Sequence, residues 1–162
     1  MNFSFVLEPF TSGKRGHIYT ARFSAESTSE FAKFLTNEEI KACPEYPGLI
    51  AHLQAMADRS GFQKRFFREE EKPTDSVEAL SRESGPIRLY CCRWTERTLI
   101  LGNGGVKRVR RYEDDEHLSQ CVDRIAAVHR GLLSAQMGKD ITIDQNTGEI
   151  QCEDNFVFEI DD

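Results

Sequence analysis

None of the five cysteines forms a CxxC pair, and the four histidines show neither HxxxH nor HExxH spacing, so no metal-ligand motif is present. GxSxG, GxxxxGK[ST] and GxGxxG are missing too, which removes the usual nucleophile elbow, phosphate loop and dinucleotide fingerprint. No metal and no cofactor is expected. Apolar runs last only a few residues and no basic start leads into an apolar stretch, so the sequence predicts no membrane span, no secretory signal and a cytoplasmic protein. In that compartment Cys43, Cys91, Cys92, Cys121 and Cys152 read as buried free thiols; adjacent Cys91 and Cys92 would point to opposite faces of a strand.

What is present suits one folded domain over residues 1–162. A chain of 162 residues buries roughly 70% of its unfolded surface, enough for a core without staples. At 39% apolar and 30% charged, with five prolines and eleven glycines, it is neither disordered nor collagen-like. The net charge of −6 opposes a role in coating long nucleic acid, but it hides a split. Between Arg59 and Tyr112 stand 13 Lys+Arg against 7 Asp+Glu, and the rest holds 8 against 20. The basic middle fits either a solvated surface with clustered charge or an anion-binding face in an acidic surround.

Period-two patterning over Asn2–Leu7 and His17–Phe23, joined by the turn-rich Thr11–Gly16, predicts an N-terminal hairpin within residues 1–23. Ser27–Glu30 has capping-box spacing before Phe31, Phe34 and Leu35, which marks a short helix. A second helix carries Leu49, Leu53 and Met56 on one side and stops at Ser60-Gly61. Phe62–Arg68 reads as a strand with one wet face, Glu69–Asp75 as a polar loop, and Val77–Leu80 as a short strand before the break at Ser84-Gly85-Pro86. Ile87–Trp94 and Thr98–Leu101 form the clearest hairpin, across Thr95-Glu96-Arg97. Gly102-Asn103-Gly104-Gly105 reads as a turn needing positive φ. Leu118, Val122, Ile125, Val128, Leu132 and Leu133 then mark an amphipathic helix that ends at Gly138, and residues 139–162 a hairpin or extended tail. The expected fold is α+β, a twisted, mostly antiparallel sheet with helices chiefly on one face.

The order strand, tight turn, strand, glycine run, basic cluster and helix carries a resemblance. Ile87-Arg88-Leu89-Tyr90, Leu99-Ile100-Leu101-Gly102 and Val106-Lys107-Arg108 together resemble the sheet centre of the RelE/HigB toxin superfamily, over roughly residues 24–133. Arg88-Leu89-Tyr90-Cys91 with Ile100-Leu101-Gly102 also resembles a related group of uncharacterised bacterial mobile-element proteins. The resemblance implies a metal-independent endoribonuclease that cuts messenger RNA on the ribosome, with an antitoxin protein as partner. That chemistry needs a base for the 2′-hydroxyl, an acid for the leaving oxygen and cations for the phosphate.

On that reading Arg88 is the phosphate clamp, with Lys64 and Lys107 as further catalytic cations and Arg65, Arg68, Arg108, Arg110 and Tyr112 as RNA contacts. Each has an ordinary counterpart: Arg88 as a strand arginine paired with an acid, the other cations as wet surface, Tyr90 as core. His117 offers an acid or base, or simply a solvated helix position. The acidic balance supports a rival from another class, a non-catalytic interaction module of a mobile element or defence locus. Nucleic-acid binding without cleavage ranks last, because no helix is basic along one face.

Overall fold

The computed structural model describes residues 3–69, 77–81, 85–153 and 155–160. The N-terminal hairpin pairs β1 (Phe3–Gly13) with β2 (Gly16–Phe23) in antiparallel register from Phe5↔Phe23 to Gly13↔Gly16. Its turn is only Lys14-Arg15, tighter than the six-residue connection expected, because β1 runs on to Gly13. The register slips between Pro9 and Thr11, where proline has no N–H to give the ladder.

Three short helices follow. In α1 (Glu30–Leu35) the cap is Ser29, whose Oγ accepts the Ala32 N–H at 3.1 Å, so Ser27 does not cap and Glu30 becomes the first helical residue. Asn37 caps α2 (Glu38–Lys41), a turn of helix that apolar spacing did not signal. The second expected helix appears as α3 (Tyr46–Ala55), with Pro47 in its first turn, and continues through a π-helical turn at Met56–Ser60 to Gly61. Phe62–Arg68 is not a strand. Phe62, Phe66 and Phe67 all pack into one core, a spacing that period-two alternation forbids, so Lys64–Phe66 coils as a 3-10 turn and β3 is only Phe67–Glu69. The polar loop expected next lies outside the described residues except for Glu69 itself, which ends β3.

The chain then builds β4 (Val77–Leu80), β5 (Ile87–Thr95) and β6 (Thr98–Val106), the 22-residue α4 (Glu116–Met137), β7 (Ile141–Ile143), β8 (Ile150–Cys152) and β9 (Val157–Ile160). Seven strands form one sheet in the order β3-β4-β5-β6-β2-β1-β9. Every neighbouring pair is antiparallel except β2 and β6, which run parallel. β7 and β8 pair separately, and β9 leaves them to extend the main sheet beside β1. The expected α+β, mostly antiparallel architecture therefore stands.

Its helices, however, cover both faces. On β5, Ile87, Leu89 and Cys91 point into a core with Phe31, Phe34, Ile40, Leu49, Leu53 and Met56 of the short helices, whereas Tyr90 and Cys92 point into a core with Leu118, Val122, Ile125, Val128 and Leu132 of α4. Every residue of β6 is buried, which a sheet with one wet face does not produce. A 22-residue helix is about 33 Å long and spans that second face. Each large side chain so buried contributes roughly 1.5–3 kcal/mol. Leu133, expected on the apolar stripe, is exposed.

Gly102-Asn103-Gly104-Gly105 is not a turn but part of β6, and among the described glycines only Gly61 and Gly148 have positive φ. These glycines serve close approach instead. A Cβ on Gly102 would lie 3.1 Å from Ile125 Cβ, and one on Gly105 3.0 Å from Leu118 Cδ2. Their bare backbone lets α4 settle onto the sheet.

Candidate functional site: a polar cleft at the head of α4

β2 and β6 pair only over His17–Thr20 and Thr98–Leu101. Beyond that point the β5–β6 register jumps from Cys91↔Leu101 to Leu89↔Gly104, so three steps on β6 match two on β5, and β6 turns away from β2. Polar groups fill the divergence. The Thr20 hydroxyl donates to the Leu101 carbonyl at 2.8 Å and accepts the Phe31 N–H at 3.2 Å. Glu30, 1% exposed, comes from α1 on one face; Arg124 comes from α4 on the other.

Arg124 meets Glu30 with a two-pronged bond, Nε donating to Oε1 at 3.0 Å and Nη2 to Oε2 at 3.1 Å. It also donates to Glu26, and its guanidinium lies 4.1 Å from the centre of the Phe23 ring. Lys33 Nζ donates to Glu26 at 2.9 Å and to Glu30 at 2.8 Å. Burial pushes the Glu26 carboxyl up, but bonds to Lys33 and the charge of Arg124 outweigh it and hold the group below the usual glutamate range. Burial likewise opposes the charge on Arg124, and Glu30 overrides it, so the guanidinium is held more firmly protonated than usual.

This network forms one wall of a cleft of about 220 Å³, lined otherwise by Asn103, His117, Gln120 and Cys121. His117 Nε2 lies 2.9 Å from the Gly104 carbonyl oxygen. A carbonyl only accepts, so Nε2 carries a hydrogen, and the neutral tautomer compatible with this bond has its lone pair on Nδ1. Cys121 Sγ is 3.6 Å from the same nitrogen, but burial pushes its thiol up to about 12 and it stays protonated. Cys91 and Cys92, both buried and on opposite faces as their adjacency predicted, are likewise pushed up by burial. Iodoacetamide should therefore modify two of the five thiols, Cys43 and Cys152, in the folded protein and all five after denaturation, counted by mass. Labelling of Cys91 without unfolding would contradict the burial.

The residues singled out from the sequence divide into two groups. Arg88 lies on the α4 face of β5, directly opposite Gly105 in the ladder. The space a side chain would take at Gly105 is occupied by the His117 ring, 3.1 Å from the position of the missing Cβ. Arg88 and His117 are thus neighbours across one strand pair. Arg88 Nη1 donates to the main-chain carbonyls of Gly85 and Ile87 at 2.7 and 3.1 Å. Lys107 follows β6, with its N–H on the Pro86 carbonyl at 2.8 Å, and Tyr112 is buried with its ring 6.2 Å from that of Tyr90.

Arg108 turns to the other helical layer, donating to Glu39 of α2 at 2.8 Å, and Arg110 is exposed. Lys64 and Arg65 sit in the 3-10 turn and Arg68 on edge strand β3, three strands from β6. Arg65 donates to Gln63 Oε1 at 2.8 Å and lies over the Phe66 ring. Sequence reasoning missed Glu30, Lys33 and Arg124. The signal available was positional: Arg124 interrupts the apolar stripe of Cys121, Val122 and Ile125, where a cation needs a partner.

Among the described residues no three His, Cys, Asp or Glu side chains gather as a metal site, and no helix is long and apolar enough to cross a membrane. Compared with family models, curated proteins and solved structures, the chain matches none.

Proposed function

We propose that the chain is a metal-independent endoribonuclease of the RelE/HigB type, acting where α4 begins. The observation that carries this reading is the placement of Arg88 beside His117, across one ladder pair and on one face. Over Ser24–Leu133 three helices are followed by strands β3 and β4, the β5–β6 hairpin and α4, an order that keeps the expected hairpin and closing helix but has one more helix and one more strand before them. In this reading His117 Nδ1 takes the proton of the 2′-hydroxyl, whose oxygen attacks the adjacent phosphorus. The bond to the 5′-oxygen breaks, and the Lys107 ammonium protonates that leaving group. The products are a 2′,3′-cyclic phosphate and a 5′-hydroxyl end. Arg88 binds the phosphate oxygens, stabilising charge as it builds. An antitoxin would act by covering this end of the sheet.

The test is cleavage of single-stranded RNA, free and on translating ribosomes, in the presence of a chelator. The expected result is cyclic-phosphate ends, with Arg88→Ala lowering kcat/KM by about 10²-fold or more and His117→Asn by about 10²–10⁴-fold. Intact RNA in both assays would overturn the proposal. The acidic surplus outside the basic middle would then favour an interaction module, identified by a partner that copurifies.

A further inference from the structure

A second cluster of cations lies at the opposite end of the β5–β6 hairpin. Arg15 comes from the β1–β2 turn, Arg59 from the π-helical turn after α3, and Arg97 from the β5–β6 turn; with Ser60, Gly61, Gln63 and Glu96 they line a recess of about 310 Å³. None of the three guanidinium groups makes an ion pair or side-chain hydrogen bond with the described residues. Every other arginine bond described above involves a carboxylate, an amide or a carbonyl, so an unoccupied trio around one hollow is distinctive. We propose that this recess is a binding site for a phosphate monoester.

The backbone has been closed around the hollow at some steric expense. Arg15 N donates to the Ala57 carbonyl at 2.7 Å, His17 N to the Arg97 carbonyl at 2.9 Å, and Phe62 N to the Glu96 carbonyl at 2.7 Å. Each bond ties one of the three loops to another. Gly61 turns the chain with φ 74°, and a Cβ there would lie 2.8 Å from the Glu96 carbonyl oxygen. On Gly16 a Cβ would lie 2.6 Å from the Phe62 ring and 3.0 Å from the Arg97 carbonyl oxygen. Loops pinned in this way hold the roots of the three side chains in place, so less ordering entropy opposes capture of a ligand. A π-helical turn that delivers one of the cations is itself a feature often found at functional sites.

Charge and geometry choose the ligand class. Three guanidinium groups and the Glu96 carboxylate leave the lining at +2, which complements a phosphate monoester of about −1.5 to −2 at pH 7. Guanidinium forks bind two oxygens at once, and a monoester presents three terminal oxygens where a diester presents two. The source is either a mononucleotide or the phosphorylated 5′ end of an RNA chain, which share this group. The site is separate from the cleft at α4 and does not depend on cleavage there.

Calorimetric titration with inorganic phosphate, adenosine monophosphate, and 5′-phosphorylated and 5′-hydroxyl oligoribonucleotides tests the assignment at fixed ionic strength. Saturable binding of the phosphorylated ligands is expected, with Arg59→Gln and Arg97→Gln each weakening it about tenfold or more and Arg130→Gln, on exposed α4 surface, leaving it unchanged. Amide resonances of Gly61 and Gln63 should move with the same titration curve. An oligonucleotide tighter than the mononucleotide identifies an RNA end as the source, and equal affinity identifies the mononucleotide; either supports the site. No binding by the folded wild-type chain up to about 10 mM phosphate or nucleotide, or equal affinity for the 5′-hydroxyl and 5′-phosphorylated chains, overturns it.

Discussion

Arg124→Leu should destabilise the domain by about 3 kcal/mol, seen as a fall in Tm of about 6–12 °C for a chain of this size. The asymmetry of burial sets that expectation. Glu30 is 1% exposed, whereas the Arg124 side chain keeps 34% and Lys33 30% of their surface, so the carboxylate is the partner that cannot return to water. Removing Arg124 takes away both bonds of the fork and leaves Lys33 as Glu30's remaining charged partner. Glu30→Gln should cost less, about 1–2 kcal/mol, because the amide oxygen still accepts one hydrogen bond and no buried charge is stranded. Replacing both Glu30 and Arg124 by leucine should recover much of the single-mutant loss, since two apolar side chains need no partners. An Arg124→Leu protein that melts within a degree of the wild type would show that the two helical layers are not joined here. The pH dependence has a definite sign. Glu26 is held below its ordinary range, so its contribution is full above the titration of an unfolded glutamate and fades as pH falls through the lowered folded value. Acid unfolding of the wild type should therefore be steeper than that of Arg124→Leu, which lacks one source of that lowering.

Local pattern and long-range packing account for what the sequence revealed. The 87–101 hairpin and the Val77–Leu80 strand were legible because alternation is a nearest-neighbour property, and α4 because its apolar residues recur at helical spacing up to Gly138. The parallel pairing of β2 with β6 joins residues about eighty positions apart, and nothing in either strand's own pattern specifies the other. The same limit explains the helices on both faces. Alternation in β5 shows that two sides differ, but Cys91 and Cys92 do not say which helix covers each. Arg88 and Lys107 drew notice because a guanidinium and an ammonium beside an apolar hairpin stand out in one dimension. Arg15, Arg59 and Arg97 did not, since each belongs to a separate loop and only the closed backbone makes them a set. His117 stood out in the sequence as a titratable side chain, while the close approach of its ring to Gly104 and Gly105 was masked by a glycine's double meaning. Glycine serves either positive φ or the absence of a side chain, and the sequence does not distinguish these.

That double meaning yields the second large effect. Gly104→Ala should cost about 3 kcal/mol or more, at or beyond the upper end of ordinary overpacking. The added Cβ would lie 1.9 Å from the carbonyl oxygen of Arg88 and 3.0 Å from the Leu89 Cα, both main-chain atoms of the neighbouring strand. Neither can rotate away. To make room β5 must shift bodily, which breaks the Leu89↔Gly104 pairing and moves Arg88 relative to His117. Gly105→Ala provides the internal comparison, because the atoms met there are Leu118 Cδ2 at 3.0 Å and His117 Cδ2 at 3.1 Å, ends of side chains that can yield. Its cost should stay near 1 kcal/mol, although the imidazole it displaces is the group proposed above for proton transfer. Denaturant midpoints should accordingly rank wild type, Gly105→Ala, then Gly104→Ala. On the proposed ribonuclease reading, RNA cleavage should separate from that order, with Gly105→Ala losing activity out of proportion to its small loss of stability. Equal midpoints for the two variants would mean that β6 meets β5 in another register, and with it the juxtaposition of Arg88 and His117 would fail.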